Sequence, residues 1–110
     1  MDKLIDHSAA EARLEEVSDA AGTPVLKLSG ELDLSNVGSL RAAIDATYGR
    51  GLDRIVFDLS ELEFMDSSGL AMFVAIAERI ATVELRNPRP VIRRVIELTG
   101  LSRVFLVTSS

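Results

Sequence analysis

The sequence predicts a single α/β domain, a mixed and mostly parallel sheet of about four to five strands with helices packed on it. Three observations carry this expectation. After residue 24, short β-branched apolar runs alternate with stretches of helical period. One of those runs, Arg54 to Leu59, is apolar enough for a strand covered on both faces. The early strands are joined by a turn signal, whereas the later ones are separated by helices that serve as crossovers between parallel neighbours.

The elements follow in order. Residues 1–11 show no clear period and contain the one histidine, His7, so they read as a loose arm or a short helix, with the domain proper over 12–110. Arg13 to Ser18 fits an edge strand, and Asp19-Ala20-Ala21-Gly22-Thr23 is a turn leading into Pro24-Val25-Leu26-Lys27-Leu28-Ser29, which completes a hairpin. Gly30 to Leu34 leads to Ser35, an N-cap residue type. Val37, Leu40, Ile44 and Tyr48 then recur at helical spacing until Gly49-Arg50-Gly51 stops the run. Arg54 to Leu59 is the central strand. Asp66-Ser67-Ser68 opens a second helix with Leu70, Phe73, Val74, Ala77 and Ile80 as its inward stripe, ending near Ala81. Thr82 to Arg86 is a strand. Asn87-Pro88 caps a third helix whose inner face is Val91, Ile92, Val95 and Leu98 and which Gly100 ends, and Arg103 to Val107 is the last strand.

Composition narrows the function. The 110 residues are 47% apolar and 26% charged, with no cysteine, no tryptophan and one histidine. A chain of this length buries about two-thirds of the surface its unfolded form exposes, enough for a core without a disulfide or metal staple. Lack of cysteine excludes thiolate catalysis and thiolate zinc sites, and the cytosol is the default compartment. Ile55 to Phe57 and Leu70 to Ala77, the longest apolar stretches, fall far short of the roughly 18 residues of a membrane span. The opening Met1-Asp2-Lys3-Leu4-Ile5-Asp6 has no basic stretch followed by an apolar block, so no signal peptide is expected. A net charge of -5 and five aromatics argue against nucleic acid and anionic membranes as partners. The charge is uneven, with 14 acids against 6 bases up to residue 70 and 3 against 6 after it. Arg86, Arg89, Arg93, Arg94 and Arg103 gather near the third helix and read as a solvated helix face.

Enzymatic chemistry finds no foothold. Serine catalysis would have only His7 as base, histidine-based metal sites need more than one histidine, and the carboxylates form no spaced cluster. Neither phosphate-cradling glycine motif is present. No cofactor, metal or catalytic residue is expected. The unusual segment is Asp58 to Leu70. Asp66, Ser67 and Ser68 stand where a helix begins, where unpaired N–H groups and the positive end of the helix dipole tolerate added negative charge. A phosphate there would bring about two charges without melting the helix. Local physics alone favours a plain Asp/Ser cap and does not choose between the two hydroxyls.

Gly30-Glu31-Leu32-Asp33-Leu34-Ser35-Asn36, Phe57-Asp58-Leu59-Ser60, Phe64-Met65-Asp66-Ser67-Ser68-Gly69-Leu70 and Val95-Ile96-Glu97-Leu98-Thr99-Gly100-Leu101 together resemble the STAS domain in its bacterial anti-sigma factor antagonist form, over residues 24 to 107 or so. The D-S-S-G-L element after F-M is the specific part. The resemblance implies that Ser67, the first serine of that element, is phosphorylated by a partner that is both anti-sigma factor and ATP-dependent serine kinase. It implies that the unphosphorylated form binds this partner and frees the sigma factor, that the phosphorylated form lets go, and that a PP2C-type serine phosphatase resets it. Asp33, Asp66, Ser67, Ser68 and Gly69 would then share one partner-facing surface. The chain departs from the family in having no glycine or proline between Ala77 and Arg86, so the link from helix to strand is short. The alternative reading keeps the fold but makes the domain a non-switching subunit of a stress-signalling assembly or of a membrane transporter complex. The D-S-S-G element favours the switch. On a helical wheel, Met72 and Ile76 point away from the expected stripe, which makes them candidate exposed partner contacts.

Overall fold

The computed structural model describes residues 6–19, 23–48 and 52–109. The elements run β1 (Asp6–Ala9), β2 (Ala12–Ser18), β3 (Pro24–Leu32), α1 (Val37–Tyr48), β4 (Arg54–Met65), α2 (Ser67–Ala77), β5 (Thr82–Arg86), α3 (Pro90–Leu98), a short 3-10 turn (Leu101–Arg103) and β6 (Leu106–Thr108). The sheet has six strands in sequence order. β1, β2 and β3 pair antiparallel, and β3 through β6 pair parallel, each parallel pair bridged by one helix. The expected class is therefore the observed one, with β4 between β3 and β5. The Gly49 to Gly51 helix stop and the turn at residues 20–22 lie outside the described residues.

Crossovers that all advance in one direction across a sheet put their helices on the same face, because the connection is right-handed. Buried residues of the three helices, Leu40 and Ile44, Phe73 and Ile76, Ile92 and Ile96, accordingly join alternate strand residues such as Leu28, Phe57 and Leu85 in one core. Phe73 anchors it, stacking edge-on against Phe57 at 4.9 Å and Phe105 at 6.3 Å between ring centres. Tyr48 closes the α1 end by donating its hydroxyl to Glu16 on β2 at 2.9 Å. Burial and that carboxylate together push the phenol well above its ordinary range, so it stays a donor.

Several expectations need correction. The arm expected over 1–11 contains β1, whose register sets His7 against Leu14. Its turn at Ala10 and Glu11 carries no glycine or asparagine although Ala10 has φ 50°, so the usual hairpin signal is missing. The central strand continues six residues past Leu59, to Met65, with two register shifts against β3 along that stretch that the spacing does not reveal. The third helix starts at Pro90 after Arg89. Asn87 instead turns the chain at φ 55° and donates its N–H to the Thr108 carbonyl at 2.8 Å. Only Ile92 and Ile96 are buried on that helix, while Val91 and Leu98 are exposed. The final strand is shorter than expected and follows the 3-10 turn. The late arginines are not uniformly a solvated face: Arg86 pairs with Glu84, Arg89 donates to the Ser60 carbonyl and Arg93 to the Ser109 hydroxyl.

On the face of the sheet opposite the helices, Glu84 is only 3% exposed yet charged. It accepts from Arg86 Nε at 2.9 Å, from the Thr108 hydroxyl at 2.7 Å and from Arg54. Burial pushes its carboxyl up, but the three hydrogen bonds win and hold its pKa lowered to about 2. A carboxylate whose folded pKa lies below its unfolded value stabilises the fold above the unfolded value and loses that contribution as pH falls. For a displacement from 4.5 to about 2 the contribution is about 3 kcal/mol, lost between those two pH values. Urea unfolding of wild type and Glu84→Gln from pH 7 down to pH 2 checks this. The wild type should lose stability steeply below pH 4.5, and Glu84→Gln should start lower and fall less. Parallel curves would show that Glu84 is not the group responsible.

Candidate functional site

The parallel strands β3 and β4 end side by side, Leu32 paired with Met65, and the next residue of each strand is an aspartate. This carboxyl-terminal edge of the sheet is where open α/β folds present their binding loops. The Asp66 N–H donates to the Leu32 carbonyl at 3.2 Å, which locks the two strand ends together. Asp66 is the N-cap of α2 in extended backbone, and its carboxylate accepts from the N–H groups of Ser68 at 2.8 Å and Gly69 at 3.3 Å. Two of the four free N–H groups at the start of the helix are satisfied in this way.

Asp33 forms the matching turn. Its carboxylate accepts from the Ser35 N–H at 2.9 Å and from the Ser35 hydroxyl, while its carbonyl accepts from Asn36 and Val37 at 3.1 Å each. Asn36, rather than Ser35, is the residue immediately before α1, and it is fully buried. Its amide donates to the Glu31 carbonyl at 2.8 Å and its oxygen accepts from the Asp33 N–H at 3.0 Å, so one side chain staples the whole turn. Sequence reasoning passed over Asn36. Its only sequence signal is an asparagine next to a turn, which does not distinguish a buried bracket from a surface cap.

Asp33, Asp66, Ser67 and Ser68 thus come together at one edge. Ser67 is exposed and Ser68 half-buried. The other expected contacts, Gly69, Met72 and Ile76, are not exposed there, although Met72 reaches the wall of the groove beside it. Gly69 is buried, and a Cβ on it would lie 2.5 Å from the Met65 side chain and 2.9 Å from that of Leu32, so its smallness lets the first turn of α2 sit against the strand ends. Met72 and Ile76 are 4% and 0% exposed. The buried face of α2 is Gly69, Leu70, Met72, Phe73 and Ile76, with Val74 and Ala77 only half-buried. The helix is rotated about its axis from the expected stripe, because the close seating of Gly69 fixes which face turns inward.

What α2 leaves outside is a smooth ridge of Ser67, Ser68, Ala71, Ala75 and Glu78 with a groove on either side. One groove, about 310 Å³, lies between α1 and α2. It is lined by Leu34, Val37, Gly38 and Arg41 from one side and Ser68, Ala71 and Met72 from the other. The second, about 390 Å³, runs along the other flank from Ser67 to Glu78 and is closed by Leu101. On the rim of the first groove Leu34 is 78% exposed, next to Asp33, and Phe64, 48% exposed, is paired with Glu31 near the ends of β4 and β3. An exposed apolar surface ringed by charge is the character of a protein-binding site. Leu34 and Phe64 were not singled out from sequence. Each sits in an alternating or apolar stretch whose default is an inward side chain.

Among the described residues no group of three or more histidines, cysteines or acids is placed to hold a metal ion. No helix among them is long and apolar enough to cross a membrane.

Comparison with known proteins agrees with this geometry. Residues 15–108 match the family model described as Mlab, STAS domain. The chain is similar to the anti-sigma-F factor antagonist RsfB of Mycobacterium tuberculosis, with 34% identity over 108 residues, 94% of this chain and 87% of that one. It is also similar to the crystal structure of an anti-sigma factor antagonist from Mycobacterium paratuberculosis, at TM-score 0.79 and 31% identity over 93% of this chain and 90% of that one. A third likeness is to the anti-sigma factor antagonist SpoIIAA in its unphosphorylated form, at TM-score 0.71 and 27% identity over 86% of each chain.

Proposed function

Because the chain belongs to the STAS domain family, in its anti-sigma factor antagonist branch, we propose that it is a phosphorylatable binding switch whose acceptor is Ser67. It is a regulatory binding protein rather than an enzyme, as its named relatives are. In this reading the surface around Ser67, when unmodified, holds an anti-sigma factor that is also a serine kinase, and a sigma factor is thereby released to direct transcription. Transfer of phosphate to Ser67 ends the complex, and a PP2C-type phosphatase restores it.

The observation that carries the reading is the placement of an exposed serine hydroxyl at the head of a ridge of small residues, between two largely apolar grooves and next to Asp33 and Asp66. Exposure also separates the two serines. Ser67 is exposed, while Ser68 is half-buried in the α1–α2 groove. A phosphate on Ser67 would meet the N-terminal dipole of α2, worth about 0.3 to 1 kcal/mol, so the modified chain keeps its fold. Incubation with ATP and the anti-sigma factor kinase of its own organism, followed by mass spectrometry, is expected to place phosphate on Ser67. The Ser67→Ala chain should take up none and stay bound. Phosphate on Ser68 alone would move the switch by one residue. Phosphate on neither serine, with binding intact, would favour the non-switching subunit.

A further inference from the structure

We infer that the groove between α1 and α2 seats one large apolar side chain of the docked anti-sigma factor, with an acidic group of that partner beside it to meet Arg41. This rests on the binding function proposed above and adds where the partner grips. The groove adjoins the Ser67 ridge, since Ser68 and Ala71 line it. Among the described residues its lining is apolar apart from Ser68 and Arg41, the one charge there. That guanidinium is nearly half exposed and reaches Asp45 only at 3.8 Å, while Arg79 holds the same carboxylate more closely. Arg41 is therefore available to an acceptor arriving from outside.

Gly38 is the telling residue. It lies in the first turn of α1, where glycine is the poorest helix former after proline. Its backbone is helical, and an added Cβ would meet nothing within 4 Å. Gly69 and Gly30, by contrast, are surrounded so closely that a Cβ must collide. Among the described residues neither conformation nor packing requires a glycine at position 38, and what it leaves is open room in the groove wall. Leu34, on the rim, is the large side chain that would lose its solvent when a knob enters. Among the described residues the flanking groove beyond Ser67 carries Glu78 as its one charge, so the two grooves offer opposite rims and fix one direction for a partner lying across the ridge.

The test fills the groove from within. Gly38→Ala, Gly38→Leu, Gly38→Trp and Arg41→Glu are compared with wild type by titration calorimetry against the purified anti-sigma factor of the same organism, with far-UV circular dichroism confirming the fold. Gly38→Ala should bind as wild type does, and Gly38→Leu and Gly38→Trp should bind at least tenfold more weakly. Arg41→Glu should also lose affinity. The chain has no tryptophan, so the indole of Gly38→Trp reports on its own surroundings. Its emission should be blue-shifted relative to free indole in water, showing that the groove takes a large apolar group. Unchanged affinity of folded Gly38→Leu and Gly38→Trp, or an indole that emits as in water, would overturn the groove while leaving the binding function standing. A wild-type chain that binds no anti-sigma factor would overturn the binding function itself, and the occupant with it.

Discussion

Replacing Met72 with glutamate is expected to cost about 3–5 kcal/mol, the penalty for a buried charge with no partner, and so to take most of the stability a small domain has. Met72 is 4% exposed, packed on the inward side of α2 among the core residues. The carboxylate would have to stay neutral, drag water inward or push the helix off the sheet, and each of these costs several kcal/mol. Urea unfolding at pH 7 measures it, with Ala71→Glu as the comparison. Ala71 is on the exposed ridge, so the same charge there should leave stability within about 0.5 kcal/mol of wild type while abolishing partner binding. A Met72→Glu chain as stable as wild type would show that the side chain faces solvent.

That contrast also shows what the sequence could and could not convey. From Ser67 to Ala77 the helix has no charged residue, so both of its sides are apolar and periodicity alone leaves its rotation open. The rotation is set by a tertiary fact, the seating of Gly69 against Leu32 and Met65, which no spacing rule contains. The same holds for β4. Its apolar run through Leu59 was readable as a strand covered on both faces, but the register shifts beyond it turn Leu62 and Met65 inward and Phe64 outward, which hides six residues of strand. β1 went unread because its turn lacks the usual residues. Motifs fared better than faces. Asp33, Asp66, Ser67 and Ser68, distant in sequence, converge because β3 and β4 are parallel neighbours ending at the same level. The element order after residue 24 already implied that arrangement.

Phosphorylation of Ser67 is expected to lower affinity for the anti-sigma factor by roughly three orders of magnitude. The modification adds about two negative charges to a surface that already carries Asp33 and Asp66. A like charge on the partner about 4 Å away would repel by ~4 kcal/mol at an effective dielectric near 20, and each ~1.4 kcal/mol is tenfold in affinity. The helix dipole, at about 0.3 to 1 kcal/mol, is too weak to cancel this. Among the described residues the groove that Ser67 lines has Glu78 as its one charged residue and no cation to neutralise the phosphate. Release then requires no rearrangement of the fold, since Asp66 already holds the first turn of α2 through the Ser68 and Gly69 N–H groups. The Ser67→Asp chain, with one added charge in place of two, should lose less affinity than the phosphorylated one and unfold at the same urea concentration as wild type.

The most direct measurement is a calorimetric titration of the purified anti-sigma factor with two preparations of this chain, one unmodified and one phosphorylated on Ser67 alone. The switch requires tight binding by the first and binding about a thousandfold weaker by the second, with both equally folded. Equal affinity of the two preparations would contradict it.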